Sequence, residues 1–331
     1  MGAMILEHPR ASAERPLTPR DLPEPVPGPG EIVVAVAACA VCRTDLQLCE
    51  GDLAAHKLPV VPGHQIVGRV AALGAGVRDR KIGQRVGIAW VAGTCGTCRF
   101  CTSERENLCE TATFTGWDRD GGFATRIVAR ADFTFPLPDG FDHLAAAPLL
   151  CGGVIGWRAL RICGIEPGGR LGLYGFGASA TCVIQVARHW SCEVFVATRS
   201  SKERVRARKL GAAWTGSYGD APPVPLDAAI TFAPAGSVVV DALRAVDRGG
   251  TVAINAIHLD RVPEFPYELL WRERSLRSVA NVTRRDVTEF LDLAAKIPIR
   301  TEYELFPLER ANEALRRLSD GEISGAAVLT T

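Results

Sequence analysis

Neither sign of charge is in excess. The chain carries 38 Lys and Arg against 37 Asp and Glu, a formal net charge of +1. Proteins built around a polyanion usually carry a large basic excess, so a nucleic acid is not expected as partner. No run approaches the roughly 20 apolar residues that span a bilayer, so no membrane association is expected. Residues 1–10 lack an apolar core and hold Glu7, His8, Pro9 and Arg10, which does not read as a secretory signal. Met4 is a second candidate for the native start. There is no internal repeat and no low-complexity tract. Hydrophobic residues at 47% and charged residues at 23% rule out a disordered chain. The 331 residues suffice for two domains with sizeable cores.

Cysteine, by contrast, is plentiful: there are 11. With no export signal, a reducing compartment, the cytoplasm, is expected, where clustered thiols serve metals or catalysis. An odd count also forbids complete internal pairing. Cys95, Cys98, Cys101 and Cys109 form CxxCxxCx7C on one Gly- and Thr-bearing loop. Such spacing lets four thiolates wrap one ion, and Zn²⁺ suits them, being d¹⁰ and borderline soft. A closed four-thiolate site has no open position, so its role is structural. The alternatives are a metal-free loop or an iron–sulfur cluster. Cluster motifs usually place Pro after the last Cys, where this chain has Glu110.

Residues 21–30, DLPEPVPGPG, read as a loop feeding a strand at 32–38. Strand-like runs broken by Gly (IVGRVAALGAGV, RVGIAWV, FATRIVA) continue to about residue 150. Alternation of strands and helices then begins. Strands are expected at 171–174, 194–197, 226–231 and 251–255, and helices at 178–190, 201–210 and 236–246. Ala180, Val183, Ile184, Ala187 and Trp190 share one helical face of 178–190. Such alternation implies parallel βαβ units, hence an α/β fold with a doubly wound sheet. Two amphipathic segments, 286–296 and 308–318, and a short strand at 326–329 close the chain.

Gly175, Gly177 and Ala180 form GxGxxA. The motif follows the strand LGLY and opens a helix, which is the context a dinucleotide pyrophosphate needs. NAD sites usually add an acid about 20 residues on. Here Thr198 occupies that place and Arg199, Ser200 and Lys202 follow. A missing carboxylate and an arriving Arg favour a 2′-phosphate, so NADP(H) is expected over NAD(H). Tyr218 is a candidate to stack near the adenine. The plainer alternative is a basic surface helix with NAD still bound.

Cys42 in CRTD, His64 in PGHQ, the cysteine loop, and Cys151 in LLCGGVIGW together resemble the medium-chain zinc-dependent alcohol dehydrogenases. The likeness, closest to cinnamyl-alcohol and aldehyde-reductase-like bacterial members, covers nearly the whole chain, to FPLERANEALRRLSDGEISGAAVL. It implies a catalytic zinc on Cys42, His64 and Cys151, with a fourth position open for water or substrate. It implies that Thr44 bonds the substrate oxygen and starts a proton relay. Asp45 would orient the ligand histidine, and Arg43 would meet the coenzyme pyrophosphate. Gln65 replaces the family's Glu, and Gln47 stands where many members carry a relay histidine. Trp90 and Trp117 match cleft-lining positions and would favour small or flat alcohols over polyols. Leu150, Ile257 and Trp271 are weaker cleft candidates. Cysteines 39, 49, 163, 182 and 192 read as packing.

The resemblance implies a β-rich GroES-like catalytic domain (1–150 and 286–331), a Rossmann domain (151–285) and a site in the cleft between them. It further implies two Zn²⁺ per chain, a small-molecule alcohol or aldehyde substrate, and a homodimer or homotetramer. Three rivals differ in substrate or class. One is the same fold acting on a polyol or formaldehyde conjugate. Another is a zinc-independent enone or quinone reductase, which should lack Cys42, His64 and Cys151. The last is a non-enzymatic NAD(P)-binding redox sensor or structural oligomer, for which Gln65 leaves room.

Overall fold

The computed structural model describes residues 1–256, 259–297 and 299–331. Ile257, one of the cleft candidates, lies outside them. Two compact units divide the chain: 1–151 with 281–295 and 300–331, and 152–280 with 296–299. Residues 281–285 thus fall in the first unit, against an expected boundary at 285/286, and 296–299 in the second.

The first unit is organised by one long strand, Glu31–Val41. Its run of β-branched residues after the Pro/Gly loop favours extended backbone. Ile32, Val33, Val34, Ala38, Cys39 and Ala40 are all at most 1% exposed, so this strand is buried on both faces. Along one side it pairs antiparallel with Gln65–Leu73, with Ala40 opposite Gln65 and Ile32 opposite Leu73. The other side is shared. Its first half pairs with Arg126–Arg130 and its second half with Ala326–Thr330. Arg85–Ile88 and Thr134–Pro136 extend the sheet beyond Gln65–Leu73, and Tyr303–Pro307 extends it beyond the terminal strand. Gly2–Leu6 and Leu17–Asp21 form a separate antiparallel ribbon. Leu150 is fully buried, and a Cβ on Gly87 would come within 2.7 Å of it. It therefore packs against the sheet and lines no open cleft within this unit.

The second unit holds a six-stranded sheet, parallel throughout. Its order is Trp214–Gly216, Glu193–Ala197, Arg170–Tyr174, Leu226–Thr231, Val246–Ile254, Ser275–Ser278. The strand order reverses between Arg170–Tyr174 and Leu226–Thr231, which makes the doubly wound Rossmann switch point. Helix Gly152–Cys163 leads into the first strand, and Ala178–His189, Ser201–Lys209 and Gly236–Ala245 connect the strands that follow. Trp190, expected on the buried helical face, instead follows the helix as its C-cap and meets Trp157 edge-on at 5.6 Å. Trp271 is 56% exposed and packs on Tyr267, so it is a surface residue of this unit and lines no enclosed cleft within it. The five cysteines read as packing are all buried. Among the described residues no single helix is long and apolar enough to cross a membrane.

Candidate active site and metal centres

Cys42 is the N-cap of the helix Arg43–Glu50, and Asp45 is its third residue. That spacing lets a carboxylate reach back to the cap, and Asp45 Oδ2 accepts from the Cys42 N–H at 2.8 Å. The other oxygen accepts from Gly63 N and from His64 Nδ1, each at 3.1 Å. One buried carboxylate thus fixes the helix start, the turn and the imidazole. The turn needs glycine at 63: φ is +95°, and a Cβ would sit 2.4 Å from Phe123 and 2.9 Å from Cys39.

The result is a three-ligand cluster in the first unit. Cys42, His64 and Cys151 each offer a ligand atom within 4.8 Å of the others. The two sulfurs lie 3.9 Å apart, and the Thr44 hydroxyl is 3.8 Å from Cys42 Sγ. His64 is 1% exposed, and its Nε2 has no hydrogen-bond partner among the described residues. An orphaned buried nitrogen beside two thiols is what a missing cation explains. A hydrogen bond from Cys151 holds the Cys42 thiol well below its ordinary range, against its burial. The same bond, with burial, raises Cys151. Burial opposes a charged His64, yet the Asp45 carboxylate and Cys42 together raise it to about 10. Gln65 turns its amide away to donate to Ala40 O at 3.4 Å.

Cys95, Cys98, Cys101 and Cys109 also converge within 4.8 Å. A tetrahedral zinc with sulfurs at about 2.3 Å sets sulfur–sulfur edges of about 3.8 Å. The observed separations are 3.8 Å for Cys95–Cys101, 3.5 Å for Cys98–Cys101 and 3.6 Å for Cys95–Cys109. Four sulfurs this close could hold one ion and leave no room for an iron–sulfur cluster. Backbone N–H groups of Thr97 and Cys98 lower Cys95 to about 5, while desolvation raises Cys101 to about 11. The loop is tied to the returning chain by Arg284, whose N and Nε donate to the buried Glu106 at 2.9 and 3.3 Å.

Beside His64 stands an aromatic wall. Trp90 lies 5.9 Å from the imidazole and 6.0 Å from Trp117, and Phe114 contacts both indoles. His56 stacks on Trp117 at 3.8 Å and bonds Asp118 at 2.8 Å. Phe114 and His56 escaped the sequence reading. Gln47 is half-buried on the same helix as Thr44, and Arg43 is exposed at its first position.

In the second unit, Gly175 has φ +93° and donates to Ala197 O at 2.8 Å. A Cβ there would approach Ala233 N to 3.1 Å, so glycine is required. Gly177 caps the helix Ala178–His189, and a Cβ on it would meet nothing within 4 Å. That open space above a helix N-terminus fits a pyrophosphate. Ala180 is fully buried. Two more polar atoms, Thr231 Oγ1 and Asn255 Oδ1 at the strand ends, have no hydrogen-bond partner among the described residues. The signal for them was a polar residue closing each apolar strand. Thr198 is 1% exposed beside the glycine turn, Arg199 and Lys202 are exposed, and Tyr218 is half-buried. Ser200 is spent as the helix cap, accepting from Glu203 N at 3.3 Å.

This pairing of a doubly wound sheet with a two-thiolate, one-imidazole cluster defines a class, the zinc-type dehydrogenases. Residues 28–139 match the alcohol dehydrogenase GroES-like domain, and 178–296 match the zinc-binding dehydrogenase domain. The chain is 49% identical over 313 residues to "Probable alcohol dehydrogenase AdhA" of Mycobacterium tuberculosis, covering 92% of this chain and 90% of that protein. It is 34% identical to an alcohol dehydrogenase of Geobacillus stearothermophilus, covering 91% of each. A cinnamyl alcohol dehydrogenase structure from Sorghum bicolor superposes with a TM-score of 0.90 at 25% identity, covering 99% of this chain and 97% of that one. The chain belongs to the medium-chain zinc-dependent alcohol dehydrogenase family, with a GroES-like domain and a Rossmann domain. It is an alcohol dehydrogenase, an oxidoreductase.

Proposed function

We propose that the protein is a zinc-dependent alcohol dehydrogenase and aldehyde reductase that exchanges hydride between NADP(H) and a small or aromatic alcohol or aldehyde. The observation that carries this reading is the buried, unpartnered His64 Nε2 beside the Cys42 and Cys151 thiols. Zinc bound there would supply Lewis acidity to an alcohol or carbonyl oxygen, and a dinucleotide above Gly177 would supply or accept the hydride.

The chain's own residues do the rest. Asp45 holds the His64 ring in one tautomer by accepting from Nδ1, leaving Nε2 as the ligand atom. The Thr44 hydroxyl, buried beside Cys42, receives the substrate proton and passes it on. Trp90, Phe114 and Trp117 exclude water and favour a flat substrate. The aromatic preference is supported by this wall and by the likeness to the Sorghum bicolor enzyme. Arg199 and Lys202, exposed at the start of the helix Ser201–Lys209, suit a 2′-phosphate. Thr231 and Asn255 offer polar atoms to the nicotinamide half. A second zinc on Cys95, Cys98, Cys101 and Cys109 would brace their loop. Eleven free thiols favour a cytoplasmic enzyme. The exposed Tyr267 and Trp271, their rings tilted against each other beside the edge strand Ser275–Ser278, favour a homo-oligomer.

The test is steady-state oxidation of NADPH and NADH with an aromatic aldehyde, before and after chelation, with Cys42→Ser alongside. Chelator-sensitive turnover preferring NADPH, lost in Cys42→Ser while coenzyme still binds, supports the whole reading. NADH preference overturns the coenzyme part alone. Turnover that survives chelation overturns the zinc part.

A further inference from the structure

The adenosine end of the coenzyme site contains an acid after all. In the sequence S-S-K-E, Ser200 caps the helix Ser201–Lys209 and Glu203 is the third helical residue. A glutamate so placed ordinarily reaches back to the backbone N–H of the cap. Here it does not. The Ser200 N–H points to Thr198 Oγ1 at 3.5 Å, and the Glu203 carboxylate accepts from the Thr198 hydroxyl at 2.5 Å. Arg204 braces the same corner, donating to Thr198 O at 2.6 Å and to Ser217 Oγ at 3.3 Å.

Thr198 follows the last residue of its strand, Ala197, whose carbonyl accepts from Gly175 of the phosphate turn. In a doubly wound site this is where the adenosine ribose arrives. The only free hydrogen on the Thr198 side chain is already given to a carboxylate. Arg199 and Lys202 stand exposed nearby, and neither forms an ion pair with Glu203 among the described residues. The corner therefore holds cations that attract a 2′-phosphate and one anchored anion that repels it.

We propose that Glu203 is a specificity-determining residue that limits the preference for NADP(H), because its carboxylate competes with the 2′-phosphate for the Thr198 hydroxyl. The inference rests on the dinucleotide site at Gly175 and Gly177. NADPH binds only as Glu203 gives up the hydroxyl, whereas the bare ribose of NADH makes no such demand.

The experiment measures dissociation constants of the full-length protein for NADPH and NADH, and for 2′,5′-ADP and 5′-AMP, by calorimetry. Glu203→Gln removes the charge but keeps an oxygen that can accept from Thr198. Glu203→Ala removes both, and guards against a misfolded first variant. Within each pair the two ligands differ by one phosphate, so a general loss of structure moves both and leaves their ratio alone. The expected result is a shift of about tenfold in each ratio toward the phosphorylated ligand, at least as large in Glu203→Ala. Unchanged ratios overturn the proposal while leaving the dinucleotide site intact. If the wild type binds neither coenzyme, the dinucleotide reading fails and the proposal falls with it.

Discussion

Asp45 serves three donors with two oxygens: Cys42 N, Gly63 N and His64 Nδ1. Asp45→Asn keeps the shape but offers one acceptor oxygen and adds an amine that faces donors. At least one of them is then left unpaired in a site 2% exposed. The expected loss is roughly 10–100-fold in zinc affinity or turnover, read by zinc competition with a chromophoric chelator and by kcat. Unchanged zinc affinity and unchanged turnover would together show that His64 orients itself. At this scale the residues of both clusters could be named from the sequence because thiols and imidazoles declare their chemistry by type, and the structure brings each set together. Phe114 and His56 were not, because what matters is which rings they meet. His56 reaches Trp117 from a distant loop, and nothing in TFTGWD separates a wall residue from an ordinary core phenylalanine. Glu203 was overlooked for a related reason: a carboxylate on a helix was not looked for at a strand end.

Elements with a strong apolar signal lay where their pattern placed them. Leu226–Thr231 is one case, a run fully buried except at Asp227. The short strands Trp214–Gly216, Ser275–Ser278 and Tyr303–Pro307 carry no such run, since edge strands are half solvated and owe their conformation to a neighbour. The exposed Asp227 is itself informative. It accepts from Arg170 N and from Arg170 Nη2, each at 2.7 Å, stapling the starts of two parallel strands. The hydrogen bond from Arg170 holds the Asp227 carboxyl below its ordinary value. A lowered folded-state value means the staple contributes fully above the ordinary carboxylate range and is lost as pH falls through the lowered one. Asp227 is 42% exposed, so Asp227→Asn should cost only about 0.5 kcal/mol at neutral pH. Thermal melts should show that gap closing on acidification, and a gap that persists at acid pH would remove the electrostatic account. The cysteine loop should behave differently. Cys98→Ser, or chelation, removes a ligand from a closed tetrahedron and loosens the loop that Glu106 ties to Arg284. A clear drop in melting temperature is expected, with chelation adding little to the variant. An unaltered melting temperature would take away the bracing role.

For the whole molecule, a change of pattern near residue 151 announced the passage from β-rich text to βαβ units, and the structure divides there, at 151/152. The return to the first unit comes at 281 where the sequence pattern suggested 286, the turn before Arg284–Lys296 carrying little apolar signal. Trp271 was named among the weaker cleft candidates; at 56% exposure beside Tyr267 at 66%, it forms the exposed aromatic patch on which the proposed homo-oligomer rests. Tyr267→Ser with Trp271→Glu should therefore lower the mass measured by light scattering. An unchanged mass would move the contact elsewhere.

The terminal strand Ala326–Thr330 pairs with residues 38–41 of the longest strand. A ribosome delivers residues 38–41 long before that strand. The Rossmann sheet, built wholly within residues 170–278, has all its strands long before release. The sheet that leads into Cys42 must wait with part of one edge unpaired until residues 326–330 emerge. The nascent chain is thus vulnerable to aggregation in its older unit, and loss of residues 326–330 would spare the Rossmann unit while leaving the unit of Cys42 permanently unfinished.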